Sequence, residues 1–314
     1  MTQSVIRVSD LRDVTPDRPT FLAIGSFDGV HRGHQSLLRE MVQAARAAGC
    51  RAAVLTFFPH PRRVIQNLTT PYYITTLEDR VSLLAESGID LIITQPFTEQ
   101  VRRTRAAEFV EQLCQYLNLR ALWGGNFALG YQREGDLPFL QRLGAEKGFE
   151  VHVVPALVTW AGELVSSSRV RRGLQAGDME DVNGCLGRPF HLSGVVIEGD
   201  KRGRTIGVPT ANLQTWEEQL LPANGVYATV ARIGDKRYLA ATNIGVRPTV
   251  SGKKKTVEAH LLDFEGDLYH QSLTLEFWHF IRSEQKFDSL DALKAQIQTD
   301  IIRVRELLQK DSQM

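Results

Sequence analysis

Cysteine, unbalanced charge and long apolar runs are all scarce in this sequence. Its 314 residues include three cysteines, Cys50, Cys114 and Cys185, which lie far apart and form no CxxC or Cys/His ligand spacing. Neither a disulfide framework nor a zinc site is indicated, so we expect a reducing, cytoplasmic compartment. The formal net charge of +1 gives no reason to expect a nucleic acid or an acidic membrane as a partner. Any anion-binding site must therefore be formed by a local group of residues and not by the overall charge of the chain.

The length of the chain, its N-terminal residues and its apolar runs limit which architectures are possible. A chain of 314 residues is long enough for two domains of about 150 residues, each with its own core. The chain begins MTQSVIRVSDLRD, without the basic and then apolar segments of a secretory leader. No apolar run approaches the roughly 18 residues that cross a bilayer. We therefore expect no membrane partner, and the sequence leaves open whether the chain forms a homo-oligomer.

The first half, up to about residue 155, alternates short apolar runs with segments of helical period. The candidate strands are TFLAIGSF, AAVLTFF, DLIIT, RALWG and EVHVV. Three of the candidate helices end at natural left-handed caps, which are Gly49, Gly88 and Gly148. The first helix is predicted to bury one stripe, made of Leu37, Met41, Ala44, Ala45 and Ala48. This alternation predicts a doubly wound, Rossmann-like α/β domain with a parallel sheet.

Beyond Gly177 the pattern changes to short strand-like runs separated by turn signals. One of these signals is Gly234-Asp235, which is typical of a hairpin. The runs predict an antiparallel all-β region that forms a small barrel. We place the boundary between the two modules so that the domains comprise residues 1–183 and 184–314.

The tail of the chain returns to helical period at Ser289, a candidate helix cap, and continues to about residue 310. A terminal helix is therefore predicted to follow the barrel. Its apolar stripe comprises Leu290, Leu293, Ile297, Ile301, Val304 and Leu308.

Two histidines stand in IGSFDGVHRGHQSLL, where a candidate strand gives way to a candidate helix. His31 and His34 therefore fall at a helix N-terminus, at the edge where an open α/β sheet leaves its crevice. Unpaired amide N–H groups and partial positive charge favour phosphate there. Imidazoles can donate further hydrogen bonds to phosphoryl oxygens whose charge grows in a transition state. Gly25, Gly29 and Gly33 lack a Cβ and allow a nucleotide to approach closely.

A lone HxxH pair also has plainer interpretations. His31 and His34 could be surface residues of a glycine-rich turn. They could also be metal ligands, although paired ligands on a helix usually stand at i and i+4 with a third ligand to match, and none is evident. The segments that accompany the pair decide between these alternatives.

Four segments together resemble the adenylyltransferase half of prokaryotic bifunctional riboflavin kinase/FAD synthetases, in the nucleotidylyltransferase superfamily. GSFDGVHRGH contains the HxGH motif, TFFPHP resembles TFxPHP, WGGNFALGYQREGD resembles the GxNFxFG block with its RxG, and VSSSRVR resembles ISSTxxR. The resemblance implies that His31 and His34 hold ATP phosphates and stabilise charge at the α-phosphorus. It implies that Ser168 and Arg171 hold the triphosphate from the other side, and guanidinium offers phosphate a planar fork of donors.

The same resemblance assigns further contacts in this half. Nucleotide-binding positions fall on Gly25, Phe27, Asp28 and Gly33. Positions at the flavin end of the site fall on His60, Pro61 and Asn126. Without the resemblance, His60 is a loop residue between two prolines and Asn126 is a turn former. SSSRVRR would then be a helix start with solvated arginines.

A second glycine-rich segment, GVVIEGDKRGRTIGVPTANL, runs from Gly194 to Leu213. It has neither the GK[ST] of a Walker A loop nor a Rossmann fingerprint, and glycine spacing alone favours a plain β-turn over a phosphate cradle. The full string, however, resembles the riboflavin kinase signature GxVxxGxxxGRxxGxPTAN. NGVYA, NIGVRPT, VEAHLLDF and IRSEQKF follow as further kinase-like blocks. The resemblance implies a six-stranded-type antiparallel β-barrel with a terminal helix.

The kinase site residues also come from this resemblance. Thr210 and Asn212 are expected to ligate the magnesium of Mg·ATP, since a hard cation takes oxygen donors. Glu258 falls at the catalytic base that takes the proton from the ribityl 5′-hydroxyl of riboflavin. Further nucleotide-binding positions fall on Gly199, Gly203, Arg204 and Gly207. Without the resemblance, Glu258 is an exposed strand carboxylate, and Thr210 and Asn212 form a turn.

The resemblance covers about residues 20–305 and implies a bifunctional enzyme of flavin cofactor biosynthesis. One half is expected to phosphorylate riboflavin with Mg²⁺ and ATP, giving FMN. The other is expected to transfer AMP from ATP to FMN, giving FAD and pyrophosphate. Departures from the family are small: Ser26 for a frequent Asn, Trp123 for an aliphatic residue, and His270 where glycine is common.

Two alternatives are kept beside this interpretation. One is a non-catalytic regulator that binds flavin or nucleotide on the same folds, and the other is an adenylyltransferase that acts on a different phosphate acceptor. Chromatography of the products formed from ATP, magnesium and riboflavin separates them, because a pure binder makes neither FMN nor FAD.

Overall fold

The structure, a computed structural model, contains two compact units. The first comprises Met1–Thr70 with Thr75–Val165, and the second comprises Pro71–Ile74 with Ser166–Met314. The division of functions at residue 183 stays a prediction. The residues that the structure describes are 5–155, 158–199, 207–249 and 252–311.

A six-stranded parallel sheet forms the centre of the first unit, with strand order β1-β4-β3-β2-β5-β6. The strands are β1 Ile6–Val8, β2 Thr20–Ile24, β3 Arg51–Phe58, β4 Leu91–Pro96, β5 Leu119–Gly124 and β6 Glu150–Val153. A two-stranded ribbon, β7 Thr159–Trp160 and β8 Glu163–Leu164, follows them. The sequence pattern misses β1, because this strand has three residues and two of them are exposed.

Helices cover both faces of the parallel sheet, which confirms the doubly wound α/β fold. They are α1 Arg32–Ala47, α2 Pro61–Ile65, α3 Leu77–Glu86, α4 Glu99–Arg103, α5 Ala106–Leu117 and α6 Leu137–Lys147. Ala23 and Val54 face a core shared with α1 and α3. Leu22 and Leu55, one residue out of phase, face a second core shared with α5 and α6.

The predicted helix ends are confirmed, whereas the stripe of α1 needs a correction. Gly49, Gly88 and Gly148 have φ of +64°, +83° and +82°, as left-handed caps require. The residues that α1 buries are Leu38, Met41, Val42 and Ala45. The prediction is wrong at Ala48, which is exposed. The buried stripe is displaced from the predicted one because Leu38 and Val42, with larger side chains than the alanines, turn toward the sheet.

The second unit begins with two helices, α7 Ser167–Ala176 and α8 Met179–Leu186, and continues as a closed barrel of order β10-β13-β12-β11-β14-β9. Its strands are β9 Phe190–Ile197, β10 Ala211–Thr215, β11 Gly225–Ile233, β12 Lys236–Thr249, β13 Gly252–Leu261 and β14 Ser272–Arg282. Every pairing in it is antiparallel. Helix α9, Leu290–Asp311, follows the barrel. The predicted antiparallel barrel with a terminal helix is therefore confirmed.

Local details of the barrel follow the sequence in part. Gly234 and Asp235 form the two-residue turn between β11 and β12, and Gly234 has a φ of +56°. The sequence pattern does not predict β10, because its residues continue a glycine-rich segment with turn character.

The terminal helix begins where it was predicted to begin. The Ser289 hydroxyl accepts a hydrogen bond from the Ala292 N–H at 3.1 Å. Val304 and Leu308 are buried against the barrel, but the predicted stripe is wrong at Leu290, which is 65% exposed. The packing is concentrated toward the C-terminal end of α9. Within the described ranges, no helix combines the length and the apolar composition that a membrane span needs.

We predict that glycine at position 270 stabilises the barrel. His270 has a φ of +64°, and its N–H is tied to the Val196 carbonyl oxygen at 2.9 Å. A left-handed conformation costs a non-glycine residue about 1 kcal/mol or more. His270→Gly should therefore raise the free energy of unfolding in urea by up to about 1 kcal/mol, less the entropy that glycine adds to the unfolded chain. His270→Ala keeps a Cβ and should give no gain; equal gains in both variants would exclude backbone strain as the cause.

Candidate active sites

Three predicted segments of the first unit follow neighbouring strands of the parallel sheet. The HRGH segment follows β2, His60 and Pro61 follow β3, and Asn126 follows β5. Strands β3 and β5 flank β2, so these segments lie at one edge of the sheet. The order of the strands reverses between β2 and β5, which makes this edge the switch point where open α/β sheets bind ligands. The strand order thus places the predicted phosphate and flavin segments of this unit at the same edge of the sheet.

His31 and His34 form a stacked pair at the N-terminus of α1. Their ring centroids are 3.7 Å apart, and Phe27 contacts His34 edge-on at 5.1 Å. The His31 Nδ1 accepts a hydrogen bond from the His34 backbone N–H at 3.4 Å, so a neutral His31 carries its proton on Nε2. That proton adds a side-chain donor at the helix N-terminus, where the helix dipole favours an anion. The pair therefore suits a phosphate group.

His34 is held neutral by its surroundings. Burial lowers its pKa well below the usual value of 6.5, and the charges of His31 and Arg80 act in the same direction. Its Nδ1 is buried and has no hydrogen-bond partner among the described residues. The stacked pair therefore does not place two positive charges side by side at neutral pH.

A buried ion pair anchors the loop that carries the two histidines. Asp28 is 1% exposed and accepts hydrogen bonds from the Thr75 N–H at 3.2 Å, the Thr75 hydroxyl at 3.3 Å and the Arg80 Nη2 at 3.4 Å. Arg80 is itself fully buried. Removing one partner of a buried pair typically costs about 3–5 kcal/mol. Asp28, which was predicted to contact nucleotide, is thus engaged inside the protein and holds the loop in place.

Close packing explains two of the predicted glycines. A Cβ on Gly25 would lie 3.1 Å from the Phe27 ring, and one on Gly33 would lie 3.2 Å from the His31 ring. Phe27 itself has a φ of +45°, a left-handed conformation that phenylalanine rarely adopts. These glycines therefore serve the placement of the two aromatic rings beside the helix N-terminus.

Arg80 and Thr75 were not singled out from the sequence. Leu77, Arg80, Val81 and Leu84 follow helical spacing, so Arg80 occupies a position of the apolar stripe of α3. A charged residue on such a stripe indicates a buried partner. That signal could have pointed to Arg80, but it could not have identified Asp28 as the partner.

The remaining predicted groups of the adenylyltransferase half lie at helix starts and in a loop. The His60 Nδ1 accepts a hydrogen bond from the Arg62 N–H at 3.1 Å and caps α2, with Pro61 as the first helical residue. Asn126 is exposed after β5. Ser168 is exposed in the first turn of α7, and the Arg171 Nε donates to the Tyr72 carbonyl oxygen at 2.9 Å.

Ser168 and Arg171 belong to the second compact unit, while the histidine pair belongs to the first. Val165, the last residue of the first unit, has its carbonyl oxygen 3.9 Å from the position of a Cβ on Gly33. Val165 therefore lies beside the HRGH segment within the first unit. In α7 itself, the Ser166 hydroxyl caps the helix by accepting from the Arg169 N–H at 3.2 Å.

In the barrel, strand register aligns three polar residues on one face. Asn212 of β10 and Asn243 of β12 are both register partners of Glu258 in β13. Directly opposed residues have Cβ atoms roughly 5 Å apart and point to the same side. The adjacent pair Ala211 and Ala259 is buried, so the polar residues occupy the opposite face. The predicted placement of Glu258 on a polar face is consistent with this register, and Asn243 is a neighbour that sequence spacing did not identify.

Gly199 lies directly against Asn212. A Cβ on Gly199 would be 2.2 Å from the Asn212 Nδ2, so only glycine fits beside that amide in this conformation. Gly207 has a φ of +77° and is exposed. Gly203 and Arg204, the other predicted nucleotide contacts, lie outside the described residues.

A cavity of ≈ 90 Å³ lies on the other side of β13 from Glu258. Thr210 lines it, as do Ala259 and Leu261, whereas Asn212 and Glu258 do not. The His260 Nδ1–H donates to the Pro209 carbonyl oxygen at 2.7 Å and so fixes the turn before Thr210. Thr210 therefore stands at the border between this cavity and the polar face.

Comparisons with known proteins agree with both halves. A riboflavin kinase family model matches residues 186–308, and an FAD synthetase family model matches residues 13–169. A bifunctional riboflavin kinase/FMN adenylyltransferase from Pseudomonas fluorescens is 38% identical over 308 residues, which cover 96% of this chain and 97% of that protein. The enzyme of the same name from Bacillus subtilis is 35% identical and covers 89% of both chains.

The chain belongs to the bifunctional riboflavin kinase/FMN adenylyltransferase family. The family inferred from the motifs is thereby confirmed, as is the predicted function in flavin biosynthesis with both enzyme activities. The crystal structure of a macrolide-efflux protein from Streptococcus pneumoniae is also similar, with a TM-score of 0.86 and 28% identity, and it covers 96% of this chain and 98% of that one. This similarity supports the fold described above for both halves of this chain.

The lowered pKa of His34 predicts that acid weakens the first unit. Below about pH 6.5 the unfolded chain protonates this histidine while the folded chain does not, so the free energy of unfolding falls as the pH falls. His34 should contribute a slope of up to about 1.4 kcal/mol per pH unit. Urea unfolding between pH 5 and pH 7, followed by tryptophan fluorescence, measures it. In His34→Gln the slope should be smaller, and an unchanged slope would contradict the assignment.

Substitution of Gly199 is predicted to impair the kinase half selectively. The added Cβ of Gly199→Ala must displace the Asn212 amide, 2.2 Å away. We expect riboflavin phosphorylation to fall by about 10-fold or more, the effect of misplacing a positioning group. FAD formation from supplied FMN serves as the internal control and should be unchanged. Full kinase activity in this variant would show that the position of Asn212 does not matter.

Proposed function

We propose that the chain carries out its two reactions at two separate sites, FMN adenylylation in residues 1–183 and riboflavin phosphorylation in residues 184–314. The observation that carries this proposal is that the histidine pair and Glu258 lie on different folds. One lies at the switch point of a parallel sheet, and the other on the face of a closed antiparallel barrel. The separate spans of the two family models support the same division.

For FMN adenylylation, a phosphate oxygen of FMN attacks the α-phosphorus of ATP, and the bond to pyrophosphate breaks. His31 donates through Nε2–H to an oxygen of the α-phosphate, and the N-terminus of α1 adds backbone N–H groups. His34 acts as a neutral donor in the same stack. Ser168 and Arg171 hold the β- and γ-phosphates, in line with the family resemblance. This reaction needs positioned donors and no covalent intermediate.

For riboflavin phosphorylation, Glu258 takes the proton from the ribityl 5′-hydroxyl as the hydroxyl oxygen attacks the γ-phosphorus of ATP. Asn212 and Asn243 are the register partners of Glu258 on the two neighbouring strands and share its polar face. ADP leaves as its bond to the γ-phosphorus breaks. Here too the protein supplies positioning and charge neutralisation.

Mg²⁺ is proposed to enter the barrel site with ATP and to neutralise phosphate charge there. The described residues contain no group of three or more His, Cys, Asp or Glu that could hold a metal ion by itself. A magnesium ion that keeps its waters and substrate phosphates needs few protein oxygens, and Thr210 and Asn212 offer that kind of donor. The donor set therefore fits magnesium delivered by ATP.

We also place these reactions in the cytoplasm. Cys50, Cys114 and Cys185 form no disulfide with one another, which suits a reducing compartment.

The division between the sites predicts opposite effects for two substitutions. His31→Ala should lower FAD formation from FMN by about 100-fold or more and leave FMN formation unchanged, because it removes a donor at the α-phosphate. Glu258→Gln should lower FMN formation by about 100-fold or more and leave FAD formation from supplied FMN unchanged, because it removes the base. Both activities are measured by chromatography of flavin products in the same samples.

Matched control substitutions separate these effects from a nonspecific loss of folding or activity. His152→Ala removes a half-buried histidine of β6, and Glu276→Gln neutralises a carboxylate of β14 that pairs with Arg232 and Arg237. Neither control should change a rate by more than about twofold. If His31→Ala or Glu258→Gln abolished both activities in a folded protein, the proposal of two independent sites would be wrong.

A further inference from the structure

Arg171 contacts an aromatic residue, Tyr72, that precedes it by nearly a hundred positions in the chain. Its guanidinium carbon lies 3.8 Å from the centroid of the Tyr72 ring. Its Nε donates to the carbonyl oxygen of the same Tyr72 at 2.9 Å. A cation over a ring face is attracted by the ring's negative quadrupole, and the hydrogen bond fixes the rotation of the guanidinium about its stem. Tyr72 thus controls both the place and the orientation of this cation.

Tyr72 is held in position by contacts that do not involve Arg171. The Tyr72 N–H donates to the Glu218 carbonyl oxygen at 2.9 Å. The next residue, Tyr73, is fully buried with its ring centroid 4.8 Å from that of Trp216. The Leu220 N–H donates to the Tyr73 carbonyl oxygen at 2.8 Å. Segment 71–74 is thereby fixed within the second compact unit, and the Tyr72 ring is a preformed platform.

We infer that Tyr72 is a positioning residue for FMN adenylylation, which acts by orienting Arg171 toward the triphosphate of ATP. This inference rests on the proposed role of Arg171 as a triphosphate ligand. With Nε engaged by the Tyr72 carbonyl, a bidentate contact to phosphate uses the two terminal nitrogens of the guanidinium. The motifs that point to Arg171 contain no signal for Tyr72, which lies in the segment PYYI.

Orientation of a charged side chain before binding reduces the entropy that substrate binding must offset. Loss of the ring should therefore weaken ATP binding more than it slows the chemical step. For Tyr72→Leu we expect the KM for ATP in FMN adenylylation to rise about 10-fold, the range of a partly desolvated cation–π contact. The kcat should fall by less, and the KM for ATP in riboflavin phosphorylation should not change.

The test compares four variants with the wild-type full-length chain, each assayed for both activities at varied ATP. Tyr72→Leu removes the ring and keeps the backbone carbonyl, while Tyr72→Phe keeps the ring and should retain wild-type kinetics. Arg171→Ala and the double variant Tyr72→Leu/Arg171→Ala complete a double-mutant cycle. If Tyr72 acts through Arg171, the leucine substitution should have no further effect once the arginine is gone.

A matched control uses another arginine that lies over an aromatic ring. Arg142 of α6 stands 5.5 Å from the centroid of the Phe139 ring, outside both proposed sites. Phe139→Leu should leave both activities unchanged. Circular dichroism and the kinase activity of each variant report whether the chain is folded.

Each outcome separates this inference from the proposed function. If Arg171→Ala impairs adenylylation and Tyr72→Leu does not, Tyr72 has no positioning role, while the role of Arg171 stands. Additive effects in the double variant, or an equal loss of both activities in Tyr72→Leu, also overturn the inference, because they indicate an independent or a purely structural role. If Arg171→Ala leaves adenylylation intact, the assignment of Arg171 fails and the inference fails with it.

Discussion

Strand direction determines which side chains can work together in each half of this enzyme. In the parallel sheet, β2, β3 and β5 are neighbours and end at the same edge, so loops from distant parts of the chain meet there. In the antiparallel barrel, the register places Asn212 and Asn243 on either side of Glu258. Both arrangements follow from backbone hydrogen bonding alone, before any side chain has made a specific contact.

The loop that leads into α1 of the first unit contains strained backbone that buried contacts support. Phe27 and Val30 have φ of +45° and +38°, which non-glycine residues rarely adopt. Asp28 stands between them, and its buried bonds to Thr75 and Arg80 hold this backbone against relaxation. The loop therefore reaches the start of α1 in a fixed shape, with the two imidazoles stacked.

Much of the fold was predictable from the sequence because its signals are local. Apolar period, glycine caps and the Gly234-Asp235 turn each act over a few residues, and their predictions agree with the structure except in the stripes, which are wrong at Ala48 and Leu290. Strands β1 and β10 were not predictable in this way. Strand β1 is too short, and β10 directly follows glycines and a proline, which are typical of turns.

The same distinction between local and long-range signals applies to the residues of the candidate sites. Motifs identified residues such as His31, His34 and Glu258, because a family motif is a local string. The residues that position them, Arg80 for the HRGH loop and Asn243 beside Glu258, act across the fold through an ion pair or a strand register. Such partners become visible only when the three-dimensional structure is known, since no spacing within the chain encodes them.

Closure of the barrel has a consequence for behaviour at high protein concentration. An open sheet edge presents a row of N–H and C=O groups to which a strand of another molecule can add. In the barrel, β9 and β13 both pair with β10, which completes the ring. The parallel sheet does have two edges, but β1 and β6 are only three and four residues long, and the side chains at these edges include charged ones. Both halves thus resist aggregation by intermolecular β-pairing.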